Sequence, residues 1–236
     1  MALAAPRAAA AAFDPELSFG GNVAATTDYI YRGVSESNGH AALQGDLHAE
    51  TRGETFAGVW ASTRDRSLEP GSRYDLDLYL GHRIELSSAW SASVSARSHY
   101  FESTAGEPSD DYQELSGALS WLDRWTVSLS AIPNSVRYWY YRRTTRTLAW
   151  IGDTSGQWLI ARGLFLTAGA GYYRATGTGP RALAATGYGY GNVGAAYVRR
   201  GWRLDVGYFL AETQAQELFP YPIANRQLAG TLSWHF

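Results

Sequence analysis

The last residues, 227-QLAGTLSWHF-236, carry Leu228, Gly230, Leu232, Trp234 and Phe236 at every second position, with Gln227, Thr231, Ser233 and His235 opposite. A strand turns alternate side chains to opposite faces, so this segment has one face of Leu, Trp and Phe and one of amide, hydroxyl and imidazole. The first face suits lipid and the second a wet interior, as in one strand of a membrane barrel. A soluble sandwich can end on the same alternation, so the rest of the chain has to decide.

The composition fits a barrel and excludes other membrane classes. The 236 residues are 14% aromatic, with 25 Gly, 9 Trp and 16 Tyr, a balance of strand formers and interface formers. No run approaches the ~18 consecutive apolar residues of a spanning helix. A barrel averages a lipid-facing and a water-facing row in every strand, which accounts for the mildly polar mean hydropathy. The chain has no cysteine, which excludes a disulfide scaffold and a thiolate zinc site. The net charge of −2 gives no basic surplus for a nucleic-acid partner.

Residues 1–13, MALAAPRAAAAAF, have the small residues of an export signal near its cleavage site but lack the charged start and long apolar core. Residues 1–15 are therefore read as a signal-peptide remnant or a flexible arm, and residues 16–236 as the barrel.

From Glu16 onward, segments of about 10 residues follow one another, the length of a tilted membrane strand. They are clearest at Leu43 to Arg52, Phe56 to Arg64, Tyr74 to Leu86, Trp90 to Phe101, Tyr112 to Trp121, Trp125 to Ile132, Leu164 to Arg174, Trp202 to Thr213 and Asn225 to Phe236. Leu76, Leu78, Leu80 and Ile84 oppose Asp75, Asp77, Arg83 and Glu85; Trp90, Ala92, Val94 and Ala96 oppose Ser91, Ser93, Ser95 and Arg97. Short turns at 52–54, 87–89, 122–124, 161–163 and 199–201 alternate with longer polar loops at 31–41, 65–73, 102–111, 137–145, 175–186 and 214–224. That rhythm predicts an all-β, transmembrane, antiparallel up-and-down barrel of about twelve strands, with turns at one end and loops at the other. Pro133 predicts a bulge or a strand exit, and the pattern at 147–160 is poor.

The aromatics segregate in the same way. Trp90, Trp121, Trp125, Trp158, Trp202 and Trp234 fall near the tight turns or the C-terminus. Tyr29, Tyr31, Tyr74, Tyr100, Tyr112, Tyr138, Tyr172, Tyr173, Tyr188, Tyr190 and Tyr208 fall nearer the long loops. Two aromatic girdles at the two membrane interfaces are expected.

Opposite the lipid face, the strands carry Asp46, His48, Glu50, Asp75, Asp77, Arg83, Arg97, His99, Glu114, Arg203 and Asp205. These are the candidate pore-lining residues. Buried ionised groups must be paired or wet, so they either line a water channel or pair across the interior and plug it. Twelve strands enclose more room than eight, whose side chains just fill the interior, and less than sixteen.

Residues for other chemistry are sparse. Gly189, Gly191 and Gly194 spell a dinucleotide motif, but Tyr188, Tyr190, Val193 and Tyr197 continue a strand where a helix should open. No nucleophile-elbow or zincin spacing occurs. The five histidines are scattered, and a lone strand histidine reads as a hydrogen-bonded structural group. No cofactor, metal or catalytic residue is expected. His99 with Glu102, Asp110 and Asp111 is the one group that suggests an outer-membrane protease or lipid-modifying barrel.

Phe19, Asn22-Val23, Thr27-Asp28-Tyr29, Arg32-Gly33-Val34-Ser35, Gln44-Gly45, Ala57-Gly58-Val59-Trp60 and the alternation Asp75, Asp77, Tyr79, Gly81 resemble the TorF family of outer-membrane porins. The resemblance covers roughly residues 17–83, thins, and returns at Asp111-Tyr112 and at Gly169 to Tyr172. Glu36 stands where the family pattern has Gln. Leu232, Trp234 and Phe236 are similar to the C-terminal signal read by the barrel-assembly machinery. The resemblance implies a single-chain barrel in the bacterial outer membrane, set among lipid and lipopolysaccharide, that passes small hydrophilic solutes or ions. The alternative is a structural or adhesive barrel with a plugged lumen, its polar 32–40 loop exposed for contact.

Overall fold

The computed structural model describes residues 17–65, 73–102, 110–139, 143–177, 184–219 and 226–236. The proposed N-terminal arm lies outside the described residues. The strands are β1 (Leu17–Thr26), β2 (Ile30–Tyr31), β3 (Val34–Ser35), β4 (Ala42–Thr51), β5 (Thr55–Thr63), β6 (Tyr74–Glu85), β7 (Trp90–Phe101) and β8 (Tyr112–Trp121). They continue with β9 (Trp125–Trp139), β10 (Arg143–Ala161), β11 (Leu164–Ala175), β12 (Thr186–Arg199), β13 (Trp202–Ala211) and β14 (Gln227–His235). Twelve form one closed antiparallel barrel in the order β1-β14-β13-β12-β11-β10-β9-β8-β7-β6-β5-β4, and β2 and β3 form a separate two-stranded sheet. The glycines at 189, 191 and 194 fall within β12.

Closure depends on the C-terminal strand. β14 pairs with β13 on one side and with β1 on the other, where Val23 faces Trp234 and Ala25 faces Leu232. The last rung is made by Phe236, whose N–H donates to Gly21 O and whose carbonyl accepts from Gly21 N, both at 3.1 Å. A side chain at position 21 would meet the Phe236 ring at 2.9 Å and Asp46 O at 2.5 Å, so Gly21 is where the two ends of the sheet come together.

The outer face is apolar. Leu76, Leu78 and Leu80 on β6, Leu204, Val206 and Leu210 on β13, and Leu228, Leu232 and Phe236 at the C-terminus are all exposed. The tryptophan girdle holds: Trp90 pairs with Trp121, Trp121 with Trp125, and Trp202 with Trp234, beside the tight turns. The tyrosine girdle is corrected. Tyr74, Tyr100, Tyr172 and Tyr208 face out, but Tyr29, Tyr173 and Tyr188 are buried inside the barrel. The side chain of Tyr138 lies outside the described residues.

The expected loop at 137–145 is also corrected. β9 runs into it as far as Trp139 and β10 begins at Arg143, and these two residues still pair. The poorly patterned 147–160 segment belongs to the longest strand, of 19 residues. Pro133 makes the bulge its missing N–H requires: Ser135 pairs with Thr147 and Ile132 with Ala149, leaving Pro133 and Asn134 against Leu148 alone.

Leu78 is 48% exposed at the middle of β6. Leu78→Arg puts a cation where a barrel meets the bilayer core, at a cost of ~2 to 4 kcal/mol at the midplane. Its membrane yield of heat-modifiable, folded protein should fall well below that of Leu78→Ala; equal yields would refute the facing assignment. Deleting Phe236 should lower that yield too, because it removes the last rung at Gly21.

Candidate functional site

The connection between β1 and β4, residues 27–41, turns into the barrel. Asp28 holds it: its Oδ1 accepts hydrogen bonds from Ser35 Oγ (2.6 Å), Ser37 Oγ (2.8 Å) and Gly39 N (3.3 Å), and its Oδ2 accepts from Gln227 of β14. Ser37 Oγ in turn accepts from Tyr29 N at 2.8 Å. Hydroxyls at positions 35 and 37 can therefore bring the chain back on itself, and β2 and β3 form a hairpin whose two-residue tip is Arg32-Gly33. Both tip residues have positive φ, 49° and 77°, as a type I′ hairpin turn requires. A Cβ on Gly33 would meet those of Ala211 and Tyr190 at 2.7 and 2.8 Å, so only glycine lets the tip approach the β12–β13 wall this closely.

The hairpin spans the lumen. Tyr188 Oη of β12 donates to Arg32 O at 3.0 Å, while the Arg32 guanidinium makes two bonds, of 2.6 and 2.9 Å, to Glu114 on β8. Tyr29 Oη donates to Asp75 Oδ2 at 3.0 Å and its ring packs on Trp60. Glu36 pairs with Arg64. Burial pushes the Glu36 carboxyl above the usual carboxylate range, opposed by the Arg64 guanidinium. Burial, reinforced by Asp75, likewise raises the Tyr29 phenol. Residues 32–38 are thus largely internal, where their polarity suggests an exposed contact loop, and only Gly39 and His40 of that stretch are exposed.

Beside it the lumen is filled by an apolar cluster. Val34 packs with Ile132, Ile151, Tyr173, Tyr188 and Leu218. Tyr173 stacks on Tyr188 at 5.7 Å, and Phe219 meets Tyr173 edge-on at 5.4 Å. Leu218 and Phe219 follow a 3-10 turn, Thr213–Glu217, whose Ala215 is also buried. A cavity of about 60 Å³ remains between this cluster, Arg32, Glu36, Arg64 and Asp75.

The charged row divides into two groups. At the loop end, Asp75, Asp77, His99 and Glu114 are buried, with Arg97 Nη1 2.8 Å from Asp77 Oδ2. His99 stacks on Tyr112 at 4.1 Å and faces Asp77 and Glu114. The His99–Glu102–Asp110–Asp111 grouping is not formed: Glu102 and Asp111 accept backbone N–H groups of Arg73 and Phe101.

Toward the turn end the interior is more open and polar. His48 Nδ1 lies 2.7 Å from Asp46 Oδ1, and Tyr79 Oη donates to Asp46 Oδ2 across the intervening β5. Arg203 clamps Asp205 with two 2.7 Å bonds and reaches Gln157 on β10 at 3.4 Å. Arg83 pairs with Asp123 and Glu54 of neighbouring turns, and Glu50 is half-buried. Contacts between non-adjacent strands require a concave face, which puts this row inside the barrel. Arg32, Tyr29, Glu36, Tyr173 and Tyr188 are the site residues that sequence reasoning missed. The usable signal was the alternation on either side of Arg32-Gly33, a hairpin of six residues.

In three dimensions the barrel is similar to outer-membrane porins. The NanC porin superposes with a TM-score of 0.54 at 10% identity, over 92% of this chain and 98% of that one. The KdgM porin gives 0.50 at 10% identity over the same shares, and its complex with disordered oligogalacturonate 0.52 at 8%, over 93% and 98%. At such identities the likeness is one of fold. No curated protein matches the chain in sequence. A family model described as a bacterial protein of unknown function matches residues 9–137, more than half of the chain. With its N-terminal strands, the inward hairpin and the Asp75–His99 wall all inside that match, the chain belongs to the Gcw_chp family of bacterial proteins.

Proposed function

We propose that this chain is a porin-like channel of the bacterial outer membrane for passive passage of small hydrophilic solutes or ions, narrowed at its loop end by the segment 27–41. The observation that carries this reading is the closed twelve-strand barrel with an apolar exterior and a charged interior. Twelve strands leave interior space that eight would fill. Asp46, His48, Glu50, Arg83, Arg203 and Asp205 would line the wider, turn-end half. Asp75, Asp77, Arg97, His99 and Glu114 would set the charge beside the constriction. The resemblance of residues 17–83 to TorF porins supports the same reading. Leu232, Trp234 and Phe236 would be read by the barrel-assembly machinery, after which the apolar band would sit among lipid and lipopolysaccharide. The chain would act without a cofactor and without catalysis.

A second reading, a structural barrel with a plugged lumen, draws on the apolar filling around Val34, Tyr173, Tyr188 and Leu218. Single-channel recording in planar bilayers separates the two. The channel reading expects a small conductance from the wild type and a several-fold larger one when Ile30–Ser35 is replaced by a short Gly/Ser link, since resistance concentrates at the narrowest part. A folded wild type and variant that both fail to conduct would overturn it.

The topology has its own test. Single cysteines at Gly106 and Gly179, in the long connections, should react with an impermeant reagent on intact cells, and those at Ser88 and Asp123, in the short turns, should not. Labelling at Ser88 would reverse the orientation.

A further inference from the structure

Asp75 and Asp77 stand two residues apart on β6, and His99 of β7 is paired directly opposite Asp77. A period of two puts both carboxylates on the inner face, and the register sets the imidazole beside them. The three side chains are 3%, 2% and 2% exposed. One nitrogen or oxygen atom from each lies within 4.8 Å of the others.

Each carboxylate has one oxygen oriented by a donor and one left over. Tyr29 Oη donates to Asp75 Oδ2 and Arg97 Nη1 to Asp77 Oδ2. Asp75 Oδ1 and Asp77 Oδ1 are buried with no hydrogen-bond partner, and so is His99 Nε2. His99 Nδ1 lies 2.7 Å from Asp77 Oδ1 in a direction that forms no N–H···O bond. Atoms this close either share a proton or move apart by about 0.6 Å to ligate one cation. Among these described residues the carboxylates of Glu36, Asp75, Asp77 and Glu114 stand against the guanidiniums of Arg32, Arg64 and Arg97 and the imidazole of His99, so they carry a negative surplus when that ring is neutral, as a metal ligand must be. A buried negative surplus is costly until an ion compensates it.

We propose that Asp75 Oδ1, Asp77 Oδ1 and a ring nitrogen of His99 bind one divalent first-row transition cation, with water completing its shell. Bonds of about 2.0–2.2 Å hold tetrahedral ligand atoms roughly 3.3 Å apart, so the widest separation in the 4.8 Å group has to close by at most about 1.5 Å, and Asp77 Oδ1 and His99 Nδ1, now 2.7 Å apart, have to open by about 0.6 Å if that nitrogen is the ligand. Calcium and magnesium take all-oxygen shells, and the imidazole selects against them. The surroundings match a metal's outer ligand shell: Tyr29 and Arg97 aim the carboxylates, Tyr112 stacks on the imidazole, and Glu114 Oε2 stands 3.9 Å from His99 Nε2. The cavity bordering Asp75 has room for water ligands. Because Tyr29 leads into the inward hairpin from the same 27–41 connection, an ion here would tie that segment to the β6–β7 wall. The inference rests on this cluster and holds whether or not the barrel conducts.

The test uses the full chain, refolded in detergent and stripped with a chelator, titrated calorimetrically with ZnCl₂ and separately with CaCl₂. One zinc per chain is expected, with calcium about 100-fold weaker or absent. Asp75→Asn and His99→Gln should each weaken zinc by about 10- to 100-fold or more, and Tyr29→Phe by about tenfold. Absence of saturable zinc binding by the wild type would overturn the proposal, as would unchanged affinity in both ligand variants, which would place the zinc elsewhere. Should those variants fail to fold, the wild type loaded with Co²⁺ still decides. A visible absorption band of a four- or five-coordinate nitrogen–oxygen site supports the assignment, and the spectrum of the free aqueous ion refutes it.

Discussion

A sheet immersed in lipid has no water to satisfy its edges, so it must close on itself. In this chain the whole interior depends on one seam, between β1 and β14. The ladder there is short, from Asn22–His235 to Thr26–Thr231, and is extended by the two bonds between Gly21 and Phe236. Once that seam sets the register, parity fixes every other residue as inward or outward, because a slip of one position exchanges the faces. Asp75, Asp77 and Arg203 are inside for the same reason that Leu78 and Trp202 are outside.

Closure creates an interior that must then be satisfied. The loop end solves this with a hairpin from the same chain. Asp28 gathers the hydroxyls of Ser35 and Ser37, Arg32 reaches Glu114, and Tyr188 holds the Arg32 carbonyl. Buried ion pairs of this kind often contribute little net stability, since desolvation offsets their attraction, but leaving one partner unpaired is severely destabilising. Their effect here is to specify one position for the hairpin. The turn end is built differently, from short-range pairs such as Arg203–Asp205 and Asp46–His48, each joined by one bond to a strand further round the wall. The two halves of one interior are therefore unlike, one packed like a protein core and the other lined by polar pairs.

That asymmetry links the site to the function proposed for it. A barrel that only had to be inert would not need buried charge, and an open pore would not need the apolar cluster around Val34 and Tyr188. The combination concentrates apolar packing, charge and the unpartnered buried atoms of Asp75, Asp77 and His99 at one level of the barrel. A change in how the hairpin is held there would act on the whole path.

The sequence by itself determined the barrel. The alternation from Leu228 to Phe236, the turn–loop rhythm and the tryptophans beside the tight turns are local patterns, and local patterns fix strands and faces; at Pro133 they left a bulge and a strand exit open, and the ladder decided for the bulge. It went wrong where two residues could satisfy the same pattern in different places. Tyr172 and Tyr173 are neighbours near one rim, yet only parity set by the closed register puts the first on the outer face and the second in the core. The full length of the β9–β10 hairpin escaped notice because Gly152, Ser155 and Gly156 weaken the apolar face without breaking the ladder. Only the tertiary structure decided what fills the lumen. Whether a polar loop stays in water or folds inward depends on partners such as Glu114, Tyr188 and Gln227, 82 to 199 positions away, and no periodicity along the chain encodes contacts across the barrel.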